Sequence, residues 1–285
     1  AGVKLAFHTR CIAVLKESEK VTAAVCAAKS GLFAVKAGLF IDCTGDADLV
    51  AFARAPYEKG DDQGRCMPGT LCSLWANIDW DRVPLFAQRN HAENLEKAFK
   101  ENIFSIEDRH LSGIAHSANT IGQGNVGHTF GVDGTDENSL TDALIWGRKS
   151  IPEFQQYYRR FIPGFENVEL ASTGSLLGIR ETRRIIGDYM LNLEDFKNRA
   201  DFEDEIGRFC YEVDIHPTTE SKEDFEKFKE QFNSYRYKEG ENYGIPYRIL
   251  LPRQLSNVLV AGKSVSTDRY MQSSIRVHPG CLITA

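Results

Sequence analysis

The pattern of apolar and polar positions at the start of the chain predicts β structure. Stretches rich in β-branched and apolar residues alternate with short turns, at residues 3–9, 11–16, 21–28 and 33–42. A meander is the simplest arrangement for such a series. Residues 46–54 then place acidic residues ahead of small apolar ones, which is typical of a helix N-terminus, and Pro56 and Gly60 end that helix.

The middle of the chain shows helical periods on either side of a predicted strand. Residues 61–69 are polar and Gly-rich, and we interpret them as the boundary between two lobes. Residues 70–78 follow as a strand. Apolar residues then recur at helical spacing in 84–101 and 140–161, with a kink or break expected at Pro152. These two helices are expected to pack on a sheet.

Composition narrows the class of protein. The 285 residues correspond to one large domain or two of ordinary size. With 42% hydrophobic and 26% charged residues, the chain is typical of a globular protein. No uninterrupted apolar stretch approaches the length that a membrane helix needs. The formal net charge is −6 and no Lys/Arg-rich run occurs, so nucleic acid is not an expected partner.

The cysteines and the chain ends add two expectations. Seven cysteines, an odd number, favour reduced thiols in a cytoplasmic protein over a disulfide framework. The closest pairs, Cys66 with Cys72 and Cys11 with Cys26, do not have the CxxC spacing of iron–sulfur or structural zinc sites, so we assign no metal ligands. The chain lacks an initiator Met and ends within an apolar stretch, and we therefore expect it to be truncated at both ends.

One literal Gly-x-Gly-x-x-Gly occurs at Gly122, Gly124 and Gly127, with Asp142 twenty residues after the first glycine. In a dinucleotide site, a buried strand must lead into this motif and a helix must follow it. Here residues 116–120 precede the glycines and a second strand pattern follows them. We therefore favour a Gly-rich loop between strands over a nucleotide-binding loop.

Two other segments end an apolar strand in glycine. Residues 39–42 lead to Gly45 and a helix, and residues 257–260 lead to Gly262, with Pro279 placed to open a later helix. Backbone amides at such strand ends bind ribose and phosphate oxygens, and a helix N-terminus favours an anionic group. The two segments suggest one nucleotide site built from both ends of the chain, while two purely structural turns remain the alternative.

Arginines and histidines supply further candidates. Three arginines lie within residues 180–184, where they can bind an anion or, alternatively, form an interdomain ion-pair cluster with Glu181 and Asp188. His128 and His216 are the two histidines that we consider as site residues, because imidazole titrates in the range that suits proton transfer. A structural role is the alternative for each histidine.

In this order, the segments resemble the FAD-dependent oxidoreductases of the glutathione-reductase-like and fumarate-reductase-like kind. The motifs that carry the resemblance extend almost from end to end, at residues 41–48 (IDCTGDAD), 131–136 (GVDGTD), 146–148 (WGR), 162–166 (IPGFE), 178–187 (GIRETRRIIG), 214–217 (DIHP), 244–247 (GIPY), 257–262 (NVLVAG) and 273–280 (SSIRVHPG).

The resemblance implies an α/β fold in which a partial Rossmann-like FAD/NAD(P)-binding domain carries an inserted mixed-sheet, α+β substrate domain. The implied divisions are residues 1–60 and 245–285 for the FAD-binding domain and 61–244 for the substrate domain. The implied cofactor is FAD, whose flavin supplies the redox chemistry. The residues implied to bind it are Thr44, Gly45 and Asp46 near the ADP part, Gly262 and Ser264 near the pyrophosphate and ribitol, and Arg276 and Gly280 beside the isoalloxazine.

Catalytic candidates follow from the same resemblance. The resemblance implies that Arg180, Arg183 and His216 face the flavin and a small organic substrate. Because two of these residues are arginines, the substrate can be an anion. The expected partner is therefore a small-molecule substrate, and neither nucleic acid nor a membrane is expected. Assembly into a homo-oligomer is left open.

Two departures from the family pattern qualify this expectation. The family's pyrophosphate-binding Gly-x-Gly-x-x-Gly unit is absent from the start of the chain, and Lys263 stands where many relatives have an acidic residue. We therefore expect the whole protein to be a flavin oxidoreductase, and this chain to hold FAD poorly and to be inactive alone. A non-catalytic binding module that keeps the substrate lobe, and an NAD-dependent enzyme using Gly122–Gly127, are the alternatives.

Overall fold

The computed structural model describes residues 2–285, which form two compact units. The first unit comprises the chain up to Gly64 together with residues 181–215 and 231–285. The second comprises residues 65–180 and 216–230. Both units contain strands and helices, so the predicted α/β class is confirmed at this level.

The first unit opens with a three-stranded meander, because the stretch predicted as one strand over residues 33–42 divides into two separate strands, of which only the first joins the meander. Strands β1 (Arg10–Glu17), β2 (Lys20–Ala28) and β3 (Gly31–Val35) pair antiparallel in the order β1-β2-β3. The strand predicted over residues 3–9 is wrong, because that segment has no neighbouring strand to satisfy its backbone hydrogen bonds. Its apolar side chains, such as Phe7, are exposed.

A parallel pair joins distant parts of the same unit. Strand β4 (Phe40–Asp42) pairs with β13 (Val258–Val260), with Phe40 opposite Val258 and Asp42 opposite Val260. The short helix α1 (Asp48–Phe52) follows β4. The buried side chain of Asn257 bonds to the backbone N–H and C=O of Val21, at 2.9 and 2.8 Å, and so attaches the meander to the start of β13.

Other short elements complete the first unit. Strand β5 (Tyr57–Lys59) pairs antiparallel with β10 (Arg183–Ile185), and β11 (Glu205–Phe209) pairs antiparallel with β12 (Tyr243–Pro246). Helices α4 (Leu193–Asn198), α6 (Arg269–Ile275) and α7 (His278–Thr284) belong here as well. One of the unit's two buried clusters includes Leu191, Tyr243, Ile245, Val265 and Met271.

The second unit is built on a four-stranded antiparallel sheet. Its strand order is β7-β8-β6-β9, with β6 (Ser73–Ala76), β7 (Gly113–Ala118), β8 (Ile121–Asn125) and β9 (Glu169–Thr173). Helices α2 (His91–Lys100) and α3 (Glu137–Phe161), and most of α5 (Lys222–Ser234), belong to this unit. Trp75, Tyr157 and Tyr158 are fully buried in the core between them.

The predicted helices of this unit are confirmed with shifted boundaries. Helix α3 begins at Glu137 because the Asp136 side chain accepts a 2.7 Å hydrogen bond from the backbone N–H of Ser139, and the helix continues through Pro152. Helix α2 begins at His91, after a separate 3-10 turn at Phe86–Gln88. The predicted strand at 70–78 is confirmed as the shorter β6.

The Gly-x-Gly-x-x-Gly lies in and just after strand β8, and the next helix, α3, begins only at Glu137, so no helix N-terminus directly follows the glycines. A Cβ on Gly124 would lie 2.6 Å from both Ser73 Oγ and Trp75 Nε1, so close packing in the sheet accounts for this glycine. The expected loop between strands is therefore wrong for Gly122 and Gly124, which lie inside β8, and the strand expected over residues 126–132 does not form.

The compact units divide the chain differently from the expected functional domains. The first division falls at Gly64, near the expected residue 61, but residues 181–215 and 231–244 belong to the first unit rather than to the 65–180 body. Pairing of β10 with β5 and of β12 with β11 explains part of this assignment. Among residues 2–285 no helix has the length and apolar character needed to cross a membrane.

Candidate functional site

The carboxyl ends of β4 and β13 bring the two glycine turns of the first unit together. Ser264 Oγ donates a 2.5 Å hydrogen bond to the carbonyl of Gly45. Lys263 Nζ donates to the same carbonyl and, at 2.9 Å, to Asp46 Oδ1. Parallel pairing makes this meeting obligatory, because both strands end at one edge. We call this group of residues the strand-end cluster.

The turn after β4 is held by its own side chains. Thr44 donates to Asp42 Oδ1 from its backbone N–H at 3.0 Å and from its hydroxyl at 2.7 Å. The same hydroxyl accepts the backbone N–H of Asp48 at the start of α1, at 2.9 Å. The local contacts therefore correspond to the capped strand-to-helix turn that the sequence left open as an alternative for Thr44.

Gly45 and Gly262 both adopt the left-handed backbone region, with φ of +80° and +88°. A Cβ on Gly262 would meet no atom within 4 Å, so the backbone there borders open space. The backbone N–H of Gly262 donates to Thr284 Oγ1 at 2.8 Å, which attaches α7 to the cluster. Glycine at these positions thus allows both the turn and close approach of another molecule.

The strand-end cluster extends to the start of β10. Thr182 Oγ1 donates to Asp46 Oδ1 at 2.7 Å. Arg183 Nη1 donates to the Asp46 carbonyl and to Asp48 Oδ1, both at 2.9 Å. Arg183, a candidate for binding substrate, therefore already has a carboxylate partner within the first unit.

A buried ion-pair triad lies beside this segment. The Glu181 carboxylate is fully buried and accepts a 2.7 Å bond from Arg184 and bonds of 3.1 and 3.2 Å from Arg269 Nε. The ion-pair cluster is therefore confirmed for Glu181, with Arg184 as its neighbour in sequence, but these residues all lie in the first unit, so the expected interdomain position is wrong for this triad. Its distant partner, Arg269, had no signal in the local sequence.

Two further candidates lie near the last helix. Arg276 Nη2 donates to the carbonyl and carboxylate of Asp214, at 3.1 and 2.9 Å. Gly280 packs against the backbone of Ile275, where a Cβ would overlap it. The proline that was predicted to open a helix lies in the first turn of α7. All of these residues belong to the first unit.

The remaining catalytic candidates, Arg180 and His216, belong to the second unit. Arg180 Nη1 donates to the Pro68 carbonyl at 2.8 Å and to Thr70 Oγ1 at 2.9 Å. His216 is 5% exposed, and its Nδ1 lies 2.9 Å from Nε2 of His128. Both histidines that the sequence singled out are therefore in one place.

Two residues beside these histidines were missed from the sequence. Asp108 lies 3.2 Å from Nδ1 of His128, and the His110 ring has its centroid 4.5 Å from that of His216. Burial opposes ionisation of Asp108, but His128 and the backbone N–H of His110 hold the pKa of that carboxyl below its ordinary value. His110 and His128 are 18 positions apart in the sequence, and His128 and His216 are 88 positions apart. Such long spacings match no local motif.

A cavity of about 540 Å³ lies beside the four-stranded sheet of the second unit. All four strands contribute to its lining, which carries no charged side chain. Hydrogen-bonding groups are supplied by Ser73, Gln123, Asn125, Ser172 and Thr173. Its volume suits a small molecule, and a lining without charged side chains suits an uncharged one.

Comparison with known proteins gives one match. The sequence matches a family model described as FAD dependent oxidoreductase over residues 1–285, and this confirms the resemblance inferred from the motifs. Neither the curated proteins nor the solved structures include a match to this chain.

Proposed function

The chain belongs to the family of FAD-dependent oxidoreductases, and we propose that it serves in the FAD-dependent oxidation or reduction of a small organic molecule. When bound, the flavin supplies the electron-transfer chemistry, and the protein supplies binding, orientation and charge. The observation that carries this proposal is the meeting of Gly45 and Gly262 at the ends of the parallel pair β4 and β13.

This edge suits part of an FAD molecule. The positive-φ backbone at both glycines and the open space beside Gly262 allow a planar or chain-like group to approach the main chain closely. The ammonium of Lys263 is paired with Asp46, and a phosphate or an anionic reduced flavin would compete with that carboxylate for it. We propose Gly45, Gly262 and Ser264 as the lining of this site, with Thr44, Asp46, Arg276 and Gly280 around it.

We propose that FAD binds weakly to this chain. The single Gly-x-Gly-x-x-Gly among residues 2–285 is committed to strand β8. In addition, the backbone N–H of Gly262 already donates to Thr284. The described residues therefore fit one side of the cofactor and offer no amide-rich loop for its pyrophosphate.

Catalytic roles for Arg180, Arg183 and His216 remain part of the proposal. Arg183 contacts a carboxylate and Arg180 contacts a carbonyl and a hydroxyl, so an anionic substrate would have to compete with these partners. This competition makes a neutral substrate the better candidate. Seven free cysteines support the further proposal of a cytoplasmic location.

A titration with FAD tests the flavin site. We expect FAD fluorescence to be quenched by the full chain, but expect no flavin absorbance to remain after desalting. Gly262→Val places a side chain in the open space and should weaken binding about tenfold or more, which corresponds to about 1.4 kcal/mol. Gly240→Val is the matched control, because Gly240 has φ +85° and equally open surroundings in the same unit.

The possible results of this titration distinguish a flavin site from backbone strain and weak binding from tight binding. Equal loss of quenching in the Gly240 and Gly262 variants would mean that backbone strain, not a blocked site, lowers binding. A flavin band that survives desalting in stoichiometric amount would contradict weak binding, and an absence of quenching would remove the flavin site.

A small-molecule binding module without flavin chemistry is the second candidate, and the uncharged 540 Å³ cavity of the second unit favours it. Such a module would be stabilised against heating by a neutral polar compound, for which a panel of monosaccharides is a suitable probe. Ser172→Phe should abolish this stabilisation by filling the cavity, while quenching of FAD fluorescence should be unchanged. Quenching by FAD without stabilisation by the panel would favour the first candidate.

A further inference from the structure

Three histidines from separate parts of the second unit meet at one point. His110 precedes strand β7, His128 follows β8, and His216 begins the segment 216–230 that returns to this unit. One ring nitrogen of each lies within 4.8 Å of the others. We propose that His110, His128 and His216 form a binding site for a divalent transition metal ion, with Zn²⁺ the best match. The metal site shares His216 with the catalytic candidates, but its test measures metal binding and does not depend on the proposed flavin site.

Two of the three ligands require only a small adjustment to hold a metal, whereas the His110 nitrogen, which lies within 4.8 Å of the others, would have to move closer by up to about 1.5 Å. Bonds of 2.0–2.1 Å in a tetrahedral arrangement place two ligand nitrogens about 3.3 Å apart. His128 Nε2 and His216 Nδ1 lie 2.9 Å apart, facing each other across a shared hydrogen. A metal that replaces this hydrogen has to separate the two rings by less than about 0.5 Å.

The carboxylate of Asp108 orients the central ligand. It lies 3.2 Å from Nδ1 of His128 and also accepts the backbone N–H groups of His110 and His128, at 3.0 and 3.1 Å. Metal-bound histidines generally donate their second ring N–H to a carboxylate or carbonyl, which fixes the tautomer and the ring orientation. A proton on Nδ1 leaves the lone pair of His128 on Nε2, the atom that faces His216.

The surroundings favour a metal ion of intermediate softness, such as Zn²⁺, over Mg²⁺ or Ca²⁺. Three imidazole nitrogens suit Zn²⁺ and its neighbours, whereas Mg²⁺ and Ca²⁺ require mainly oxygen ligands. The Phe228 ring packs against both His110 and His216, with centroids at 4.9 and 5.8 Å, and limits access of water. Three protein ligands leave a fourth position for water or a substrate atom.

The bound metal would also have a mechanical effect. It would link His216, and with it the segment 216–230, to residues 108–128 of the same unit. Because the unfolded chain cannot hold these histidines together, binding should stabilise the folded protein.

A hydrogen-bonded relay from Asp108 through His128 to His216, without metal, is the competing explanation. The two explanations differ in a direct measurement. The relay predicts no specific affinity for Zn²⁺, whereas the metal site predicts one tightly bound ion per chain.

The experiment begins with the full chain, freed of metal with a chelator. Zn²⁺ is then titrated by calorimetry, and Co²⁺ is added separately as a spectroscopic probe. We expect one Zn²⁺ per chain, a rise in the melting temperature, and the intense visible bands of tetrahedral Co²⁺. His110→Gln and His216→Gln should each weaken Zn²⁺ binding at least tenfold. His116→Gln is the control, because His116 is an exposed histidine of the same unit.

Each result decides between the explanations. Absence of stoichiometric Zn²⁺ binding by the wild-type chain, or Co²⁺ bands of an octahedral site, would overturn the proposal. So would equal loss of affinity in His116→Gln. If a cluster variant does not fold, as judged by circular dichroism, the wild-type Co²⁺ spectrum and stoichiometry decide the question.

Discussion

Replacing the buried carboxylate of Glu181 tests how the first unit is held together beside the strand-end cluster. Glu181 has no solvent exposure, and the Arg184 side chain is 4% exposed. Glu181→Gln keeps the shape of the side chain but leaves the positive charges of Arg184 and Arg269 without their shared anion. Removing one partner from a buried ion pair costs about 3–5 kcal/mol, mainly because the remaining charges stay desolvated.

The same substitution at Glu58 provides the control. Glu58 lies 3.6 Å from Arg184 Nη2 with its side chain 50% exposed. Exposed pairs contribute at most about 1 kcal/mol, so Glu58→Gln should change the free energy of unfolding by less than that amount. The two variants remove the same charge from the surroundings of one arginine and differ chiefly in burial.

Urea unfolding is the assay, and the choice of probe matters. Trp75, Trp80 and Trp146 all belong to the second unit, so tryptophan fluorescence reports on that unit. Far-ultraviolet circular dichroism reports on both units. Glu181→Gln should lower the circular-dichroism midpoint and, at about 4 kcal/mol, lower the melting temperature by roughly 10 °C.

A loss below about 1 kcal/mol in Glu181→Gln would refute the reasoning, because it would mean that the arginines are solvated when Glu181 is neutral. An equal loss in Glu58→Gln would refute it as well. Because Glu181 directly precedes Thr182 and Arg183, which contact Asp46, the variant should also weaken any quenching of FAD fluorescence.

Two further predictions concern the second unit. Burial and the nearby Arg89 charge lower the pKa of His91 to about 4, below its ordinary value, so the folded state binds fewer protons than the unfolded state between about pH 4 and 6.5. The free energy of unfolding should therefore fall as the pH falls through that window, by roughly 1–2 kcal/mol after allowance for partial exposure of His91. In urea unfolding, the midpoint of His91→Gln should lose this pH dependence, whereas the midpoint of His116→Gln should keep it. Gly124→Ala should lower the free energy of unfolding by about 1–3 kcal/mol, because its Cβ would crowd Trp75. Gly38→Ala, where a Cβ meets nothing within 4 Å, should leave the urea midpoint unchanged or slightly raised, and an equal loss in both would contradict the packing argument.

Local elements were predictable where a short stretch carries its own signal. Alternation and turn residues indicated the β1-β2-β3 meander, and helical periodicity over residues 140–161 indicated α3, whose cap at Asp136 was not predicted. The segment at residues 3–9 has the same apolar content as its neighbours but forms no strand. A strand depends on a partner for its hydrogen bonds, and no local pattern supplies that information.

The candidate site was predictable only in part, for a similar reason. Glycine after an apolar strand marked Gly45 and Gly262, and the expectation that they meet agrees with the parallel pairing of β4 and β13. The contacts that now occupy Thr44 and Arg183 depend on Asp42, Asp48 and the exact turn geometry. Their roles toward FAD and substrate stay predictions.

By itself the sequence determined the family and the α/β class, because contiguous motifs and short hydrophobic periods carry both of these signals. Only the tertiary structure decided that Arg269 joins Glu181, that residues 181–215 belong to the first unit, and that His110 lies against His128 and His216. Such partners are chosen by which distant surfaces bury one another and satisfy each other's charges. That choice is a property of the folded chain as a whole, and no window of the sequence contains it.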